Sequence, residues 1–180
     1  QMPEDSASET ALWLAMHTGT HFDAPGHMIE DGGLIMDSLP LERLITRCRV
    51  LDLTHLQAGI SREDLEPFGI KASEFIILKT RNSNEDFFNP EFIYLKEDGA
   101  RYLAEIGING VGIDSLGIER AQPGHETHIS LFERDIIILE GLRLSEADEG
   151  EYILIALPLK IRGAEGAPTR AVLIEGELSL

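Results

Sequence analysis

Three of the six histidines and one carboxylate fall within eleven residues, His17-Thr18-Gly19-Thr20-His21-Phe22-Asp23-Ala24-Pro25-Gly26-His27. Imidazole nitrogens and carboxylate oxygens at that density suit a zinc- or manganese-class ion, so the stretch reads as the first half of a metal site. His17, His21, Asp23 and His27 occupy odd positions, which an extended strand sends to one side. A straight strand rising about 3.3 Å per residue would hold His17 and His21 roughly 13 Å apart, too far for one ion at about 2.1 Å from each nitrogen. The chain must bend. Gly19 and Pro25-Gly26 supply the bends, while Thr18, Thr20 and Phe22 speak against a helix. The competing reading is a His-rich surface loop with no ligand.

The apolar run Ala11–Met16 reads as a buried strand delivering His17, with Trp13 packed in the core. Met28 to Gly33 ends in a glycine turn, and Leu39–Leu44 is a short helix or loop. Arg49–Thr54 is a strand, with His55 at its end as a structural residue. Ser61 caps a short helix limited by Pro67 and Gly69, and Phe75–Thr80 has the unbroken apolar character of a strand buried on both faces. The polar stretch Arg81–Pro90 reads as a solvated connection, although Thr80, Arg81 and Asn82 could touch a substrate. Glu97–Ile106 has helical spacing and a stop at Gly107; the strand Val111–Asp114 follows, making a parallel strand–helix–strand unit. Asp114, at the strand's end, is either a ligand or supporting group of the site or the cap of a turn. Ile136–Leu139 is a buried strand ending at Glu140, where a carboxylate needs a cation or hydrogen-bonding partners to stay ionised. Tyr152–Ile161 and Ala171–Leu178 are strand-like, separated by a loop over 162–168.

These elements describe one α/β domain with a mixed β-sheet core and few helices, covering 11–180 behind a flexible lead-in of residues 1–10. The formal charge of -17, from 32 acidic and 15 basic residues, argues against nucleic acid and anionic membrane surfaces as partners. Cys48 is the sole cysteine, so no intrachain disulfide forms, and its apolar setting makes it a packing residue. Nothing approaches the ~20 apolar residues of a membrane span, and no secretory signal is visible, so a cytoplasmic protein is the expectation.

The pattern His17-x-Gly-Thr-His21-x-Asp23-x-Pro25-x-His27 resembles the signature of the metal-dependent cyclase-type hydrolases, which include bacterial kynurenine formamidase and isatin hydrolase. A second likeness is a histidine followed twelve residues later by a glutamate in a Leu-Glu-Gly setting, met by His128 and Glu140. The resemblance implies that His17, His21, Asp23, His128 and Glu140 hold one or two zinc or manganese ions, with Asp23 able to bridge, and that His27 moves the proton. His125, three residues before His128, is the rival for the later ligand position. The resemblance further implies a swivelling β/β/α fold, a homodimer or homotetramer, and hydrolysis of a carbon–nitrogen bond by metal-activated water. The implied substrate is a small amide such as N-formylkynurenine; a cyclic amide or ester such as isatin, or a silent metal-binding relative, is the alternative. The resemblance also implies a longer leading segment with a Met-Pro pair and aromatic residues that help enclose the substrate, of which Met2-Pro3 is at best a remnant.

Overall fold

Strand β1, His21–Asp23, is only three residues long, yet it closes the sheet. The computed structural model describes residues 8–29, 33–85 and 89–176. Met2-Pro3, most of the lead-in, the Glu30-Asp31-Gly32 part of the expected turn, residues 86–88 of the polar connection and the end of the last expected strand lie outside the described residues.

The remaining strands are β2 (Ile45–Asp52), β3 (Phe75–Lys79), β4 (Gly110–Ile113), β5 (Ile137–Glu140), β6 (Gly150–Pro158) and β7 (Gly166–Ile174). They run β1-β5-β4-β3-β2-β6-β7 around a closed barrel, with β7 returning to β1. β2 to β5 pair in parallel, while β1, β6 and β7 pair antiparallel. This is the mixed sheet expected from the sequence. The parallel pairs require crossovers, and the helices α2 (Glu97–Ile106) and α3 (Glu126–Phe132) supply two of them. Helix α2 has the bounds its sequence pattern predicts. Gly107, at φ +78, ends it in the left-handed conformation that glycine adopts most readily. The short α1 (Arg62–Leu65) begins where Ser61 predicts, with Asp64 accepting bonds from the Ser61 N–H and hydroxyl. Among the described residues no helix is long and apolar enough to cross a membrane.

Strand alternation divides the apolar residues into two cores. Phe22, Val50, Phe75, Ile77, Ile137, Leu139 and Leu154 fill the barrel; Leu51, Ile76, Leu78, Val111 and Ile138 face outward onto Leu65, Leu103, Leu131 and Phe132 of the helices. Cys48 is buried in the barrel core, where burial pushes its thiol up to about 12, as fits a packing residue. Alternation also decides where β1 aims its chemistry: Phe22 points into the barrel, so His21 and Asp23 project to the other side, toward the helices.

One expected element is absent. Residues 11–16 form no strand, and Leu12 and Trp13 stand 75% and 95% exposed rather than in the core. The reason is topological: β5 and β7 already occupy both edges of β1, so a closed barrel offers this segment no edge to join.

Phe22→Ala should lower unfolding free energy by about 3–5 kcal/mol, because it empties a fully buried position between two site residues. Urea titration of the metal-free protein measures this as a lower midpoint at an unchanged slope.

Candidate metal centre

Register carries the site. His21 pairs directly with Glu140 across the β1–β5 ladder, so the two side chains leave the sheet together. Asp23, two residues on, shares their face, and α3 brings His128 over it from the helical layer. All four are buried: His21 2%, Asp23 1%, Glu140 4% and His128 6% exposed. Nε2 of His21 lies 3.3 Å from Asp23 Oδ1 and 3.4 Å from Glu140 Oε2, and Nε2 of His128 lies 3.6 Å from Asp23 Oδ2 and from Glu140 Oε1. The other nitrogen of His21, Nδ1, pairs with the Gly19 carbonyl at 2.9 Å, which leaves Nε2 facing the carboxylates without a hydrogen bond.

His17 lies before the bend at Gly19, whose φ is +66, and comes back over Asp23 with Nδ1 2.7 Å from Oδ1. The bend inferred from the spacing therefore exists. Its backbone passes so near Gly141 that a Cβ there would collide with the Gly19 carbonyl. On the other flank Gly166 pairs with Asp23, and a Cβ on it would stand 2.7 Å from His17 Cε1. Glycine at this position makes room for the imidazole. His27 ends the single turn Pro25–His27, with its ring 4.2 Å from that of His17 and 6.1 Å from that of His128. Possible ligand atoms of His17, Asp23 and His27 lie within 4.8 Å of one another, and so do those of His21, Asp23 and Glu140. Asp23 belongs to both groups, the arrangement a carboxylate shared by two ions would need.

The donor set fits a divalent cation on its own terms. Two carboxylates withdrawn from water cost several kcal/mol apiece unless compensated. Burial resists protonation of His21 and His128, but Asp23 and Glu140 outweigh it and hold them up to about 10 and about 11; Glu119 adds to the effect at His128. Despite its own burial, Asp23 is held far below the usual carboxylate range by His128, His17 and His21. The site thus favours positive charge at its centre, which one divalent ion would supply. His27 behaves oppositely: burial pulls it below its ordinary value, with His17 and His128 adding to that pull against Asp23.

The residues singled out as His17, His21, Asp23, His27, His128 and Glu140 are therefore brought together, with His128 on a helix. Asp114 is not among them. It accepts bonds from Thr80 N–H (2.9 Å) and hydroxyl (2.7 Å), Ser83 N–H (3.1 Å) and hydroxyl (2.8 Å), and Asn82 Nδ2 (3.3 Å), so it caps the turn after β3. Thr80 and Asn82 are consequently buried, not solvated, and His55 is exposed. Two residues of the neighbourhood carry no sequence signal: Glu165, 3.3 Å from His17 Nε2, and Glu119, whose Oε1 lies 2.9 Å from His128 Nδ1. His125 pairs with Glu119, not with the centre.

Residues 2–120 match the family described as "Putative cyclase". The kynurenine formamidase of Bacillus cereus is 35% identical over 164 residues, covering 90% of this chain and 78% of that protein. The solved structure of a potential metal-dependent hydrolase with cyclase activity superposes with a TM-score of 0.89 at 48% identity, covering 92% of this chain and 82% of the other. An isatin hydrolase bound to the product analogue thioisatinate superposes at 0.77 with 28% identity, covering 89% and 72%.

Proton linkage tests the centre. The raised His21 and His128 values give the metal-free fold ion-pair stability that is complete below about pH 6.5 and lost as pH climbs through about 10 to 11. The lowered Asp23 value adds stability that is present above its ordinary value of 3.8 and lost on acidification. Because ligating imidazoles must be deprotonated, zinc added at pH 7 should expel about two protons, one each from His21 and His128, with any further release coming from His17, which Asp23 also raises. Calorimetric titration in buffers of different ionisation enthalpy counts them; no proton release would mean that neither histidine takes the ion.

Proposed function

We propose that this chain, which belongs to the cyclase family and is a metal-dependent hydrolase, cleaves the carbon–nitrogen bond of an aryl formamide, with N-formylkynurenine as the leading substrate. The observation that carries the reading is the buried Asp23 shared between His17/His27 and His21/Glu140, with His21 Nε2 facing the carboxylates without a hydrogen bond. The 35% identity to a kynurenine formamidase over most of both chains supports the choice of substrate. The likeness to isatin hydrolase makes a cyclic amide the second reading.

In this reading His17, His21, Asp23, His128 and Glu140 would hold the metal, zinc or manganese, as one ion or two. When bound, the ion supplies Lewis acidity and brings the pKa of a water toward neutrality. The chain's own groups do the rest. Gly19 O engages His21 Nδ1, which turns the Nε2 lone pair inward. His27, lowered below its ordinary value and therefore neutral at pH 7, is suited to take a proton from the attacking water and return it to the leaving nitrogen. The 2.7 Å contact of His17 with Asp23 holds the His17 ring against that of His27, 4.2 Å away and tilted by 33°. No serine or cysteine nucleophile is needed.

His27→Ala should lower kcat about a hundred- to ten-thousand-fold while the protein still binds metal; unchanged turnover would remove His27 from the chemistry. For the substrate, protein stripped with chelator and reloaded with zinc or manganese should release formate from N-formylkynurenine faster than it opens isatin. The reverse order would hand the chain to the cyclic-amide reading, and loaded protein that attacks neither compound would reject both.

A further inference from the structure

The connection from β4 to α3 touches the metal centre from outside at two successive residues. The Ile118 N–H donates to Glu140 Oε1 at 2.6 Å, and the Glu119 carboxylate meets His128. Glu119 is an acid of a similar kind to the site's own: its side chain is 8% exposed, far from the solvated setting typical of glutamate. Its Oε1 stands 2.9 Å from His128 Nδ1 and 2.5 Å from His125 Nδ1, and its Oε2 accepts from the His128 backbone N–H at 3.4 Å. Glu119 Oε1 and His128 Nδ1 thus form an ion pair, and Nδ1 has no formed hydrogen bond. His125 reaches its position with φ +53, uncommon for a residue bearing a Cβ, and its side chain is 58% exposed. One carboxylate oxygen therefore lies between an imidazole at the buried centre and an imidazole at the surface.

We propose that Glu119 is a positioning residue for the metal centre: by engaging His128 Nδ1 it presents Nε2 to the ion, and exposed His125 in turn holds Glu119 in place. An imidazole has two nitrogens, and the one not facing the metal needs an acceptor to set tautomer and ring direction; carboxylates in that role typically govern affinity about 10- to 100-fold. The geometry places a carboxylate beside each nitrogen, as an ion pair at Nδ1 that a small turn of either side chain would convert to a hydrogen bond. Nδ1 of His128 has Glu119, and Nε2 has Asp23 and Glu140 at 3.6 Å. A rival arrangement is an outer ion held by Glu119, His125 and His128, whose ligand atoms also lie within 4.8 Å. It would draw His128 Nδ1 away from its role in supporting Nε2.

The inference rests on the metal-hydrolase reading, and the test separates the two. Zinc affinity of the stripped full chain is measured by competition with a chromogenic chelator for the native protein, Glu119→Ala, Glu119→Gln and His125→Ala, each with a metal-free thermal melt to check folding. Expected are one or two zinc steps in the native protein that all survive in His125→Ala, a loss of affinity of about 10- to 100-fold in Glu119→Ala, and smaller losses in Glu119→Gln, which keeps an acceptor oxygen, and in His125→Ala. In the zinc-loaded native protein, nitrogen-15 imidazole shifts should report His128 protonated at Nδ1, a signature that Glu119→Ala perturbs. Affinity and His128 shifts unchanged in a folded Glu119→Ala would overturn the proposal while leaving the metal centre intact. A second, weaker zinc step abolished by His125→Ala would overturn it in favour of the outer ion. No zinc binding by the native protein would defeat the metal-centre reading itself.

Discussion

The buried carboxylate of Asp23 is the constraint around which the rest is arranged. A carboxylate 1% exposed has lost its hydration, and the surrounding protein must return that stabilisation through charge and hydrogen bonds. Three imidazoles, those of His17, His21 and His128, turn toward it from a loop, a strand and a helix. Glu140 brings a second buried acid into the same space, so the cluster asks for positive charge beyond what neutral imidazoles offer. A divalent cation would meet that demand with fixed charge and directional bonds.

Barrel closure makes this possible. β1 is too short to be held by its own pairing, yet with β5 on one edge and β7 on the other every residue of it is pinned. The antiparallel register sets His21 opposite Glu140 and Asp23 opposite Gly166, so one strand edge supplies a ligand and the other supplies room. A one-residue slip would turn His21 and Asp23 into the apolar interior and Phe22 onto the site. The fully buried Phe22, seated in the barrel core, is the physical guard against that slip.

Buried polar clusters here divide into those that are satisfied and those that are not. Asp114 accepts five protein hydrogen bonds and needs nothing more; it holds the turn after β3 against the end of β4. At the metal centre, His21 Nε2 has carboxylates within 3.4 Å and no formed hydrogen bond. Both clusters contain a buried aspartate, and only the second leaves an imidazole nitrogen facing carboxylates without a hydrogen bond.

The sequence by itself determined the ligand types, the bend at Gly19, the helix Glu97–Ile106 and the buried strands β3 to β5, because each is encoded locally in residue chemistry, glycine placement or apolar periodicity. The pairing of His128 with Glu140 came from family resemblance, since their spacing alone does not fold them together. Tertiary structure decided what depends on partners distant in the chain. Residues 11–16 have strand composition but no edge to join; Thr80 and Asn82 look solvated but bond to Asp114; and Glu119, in a segment with no periodic signal, reaches His128 only because the connection from β4 to α3 folds back against that helix. Composition states what a segment can bury or bind, whereas strand edges and cross-chain neighbours, which exist only once the barrel closes, determine whether it does.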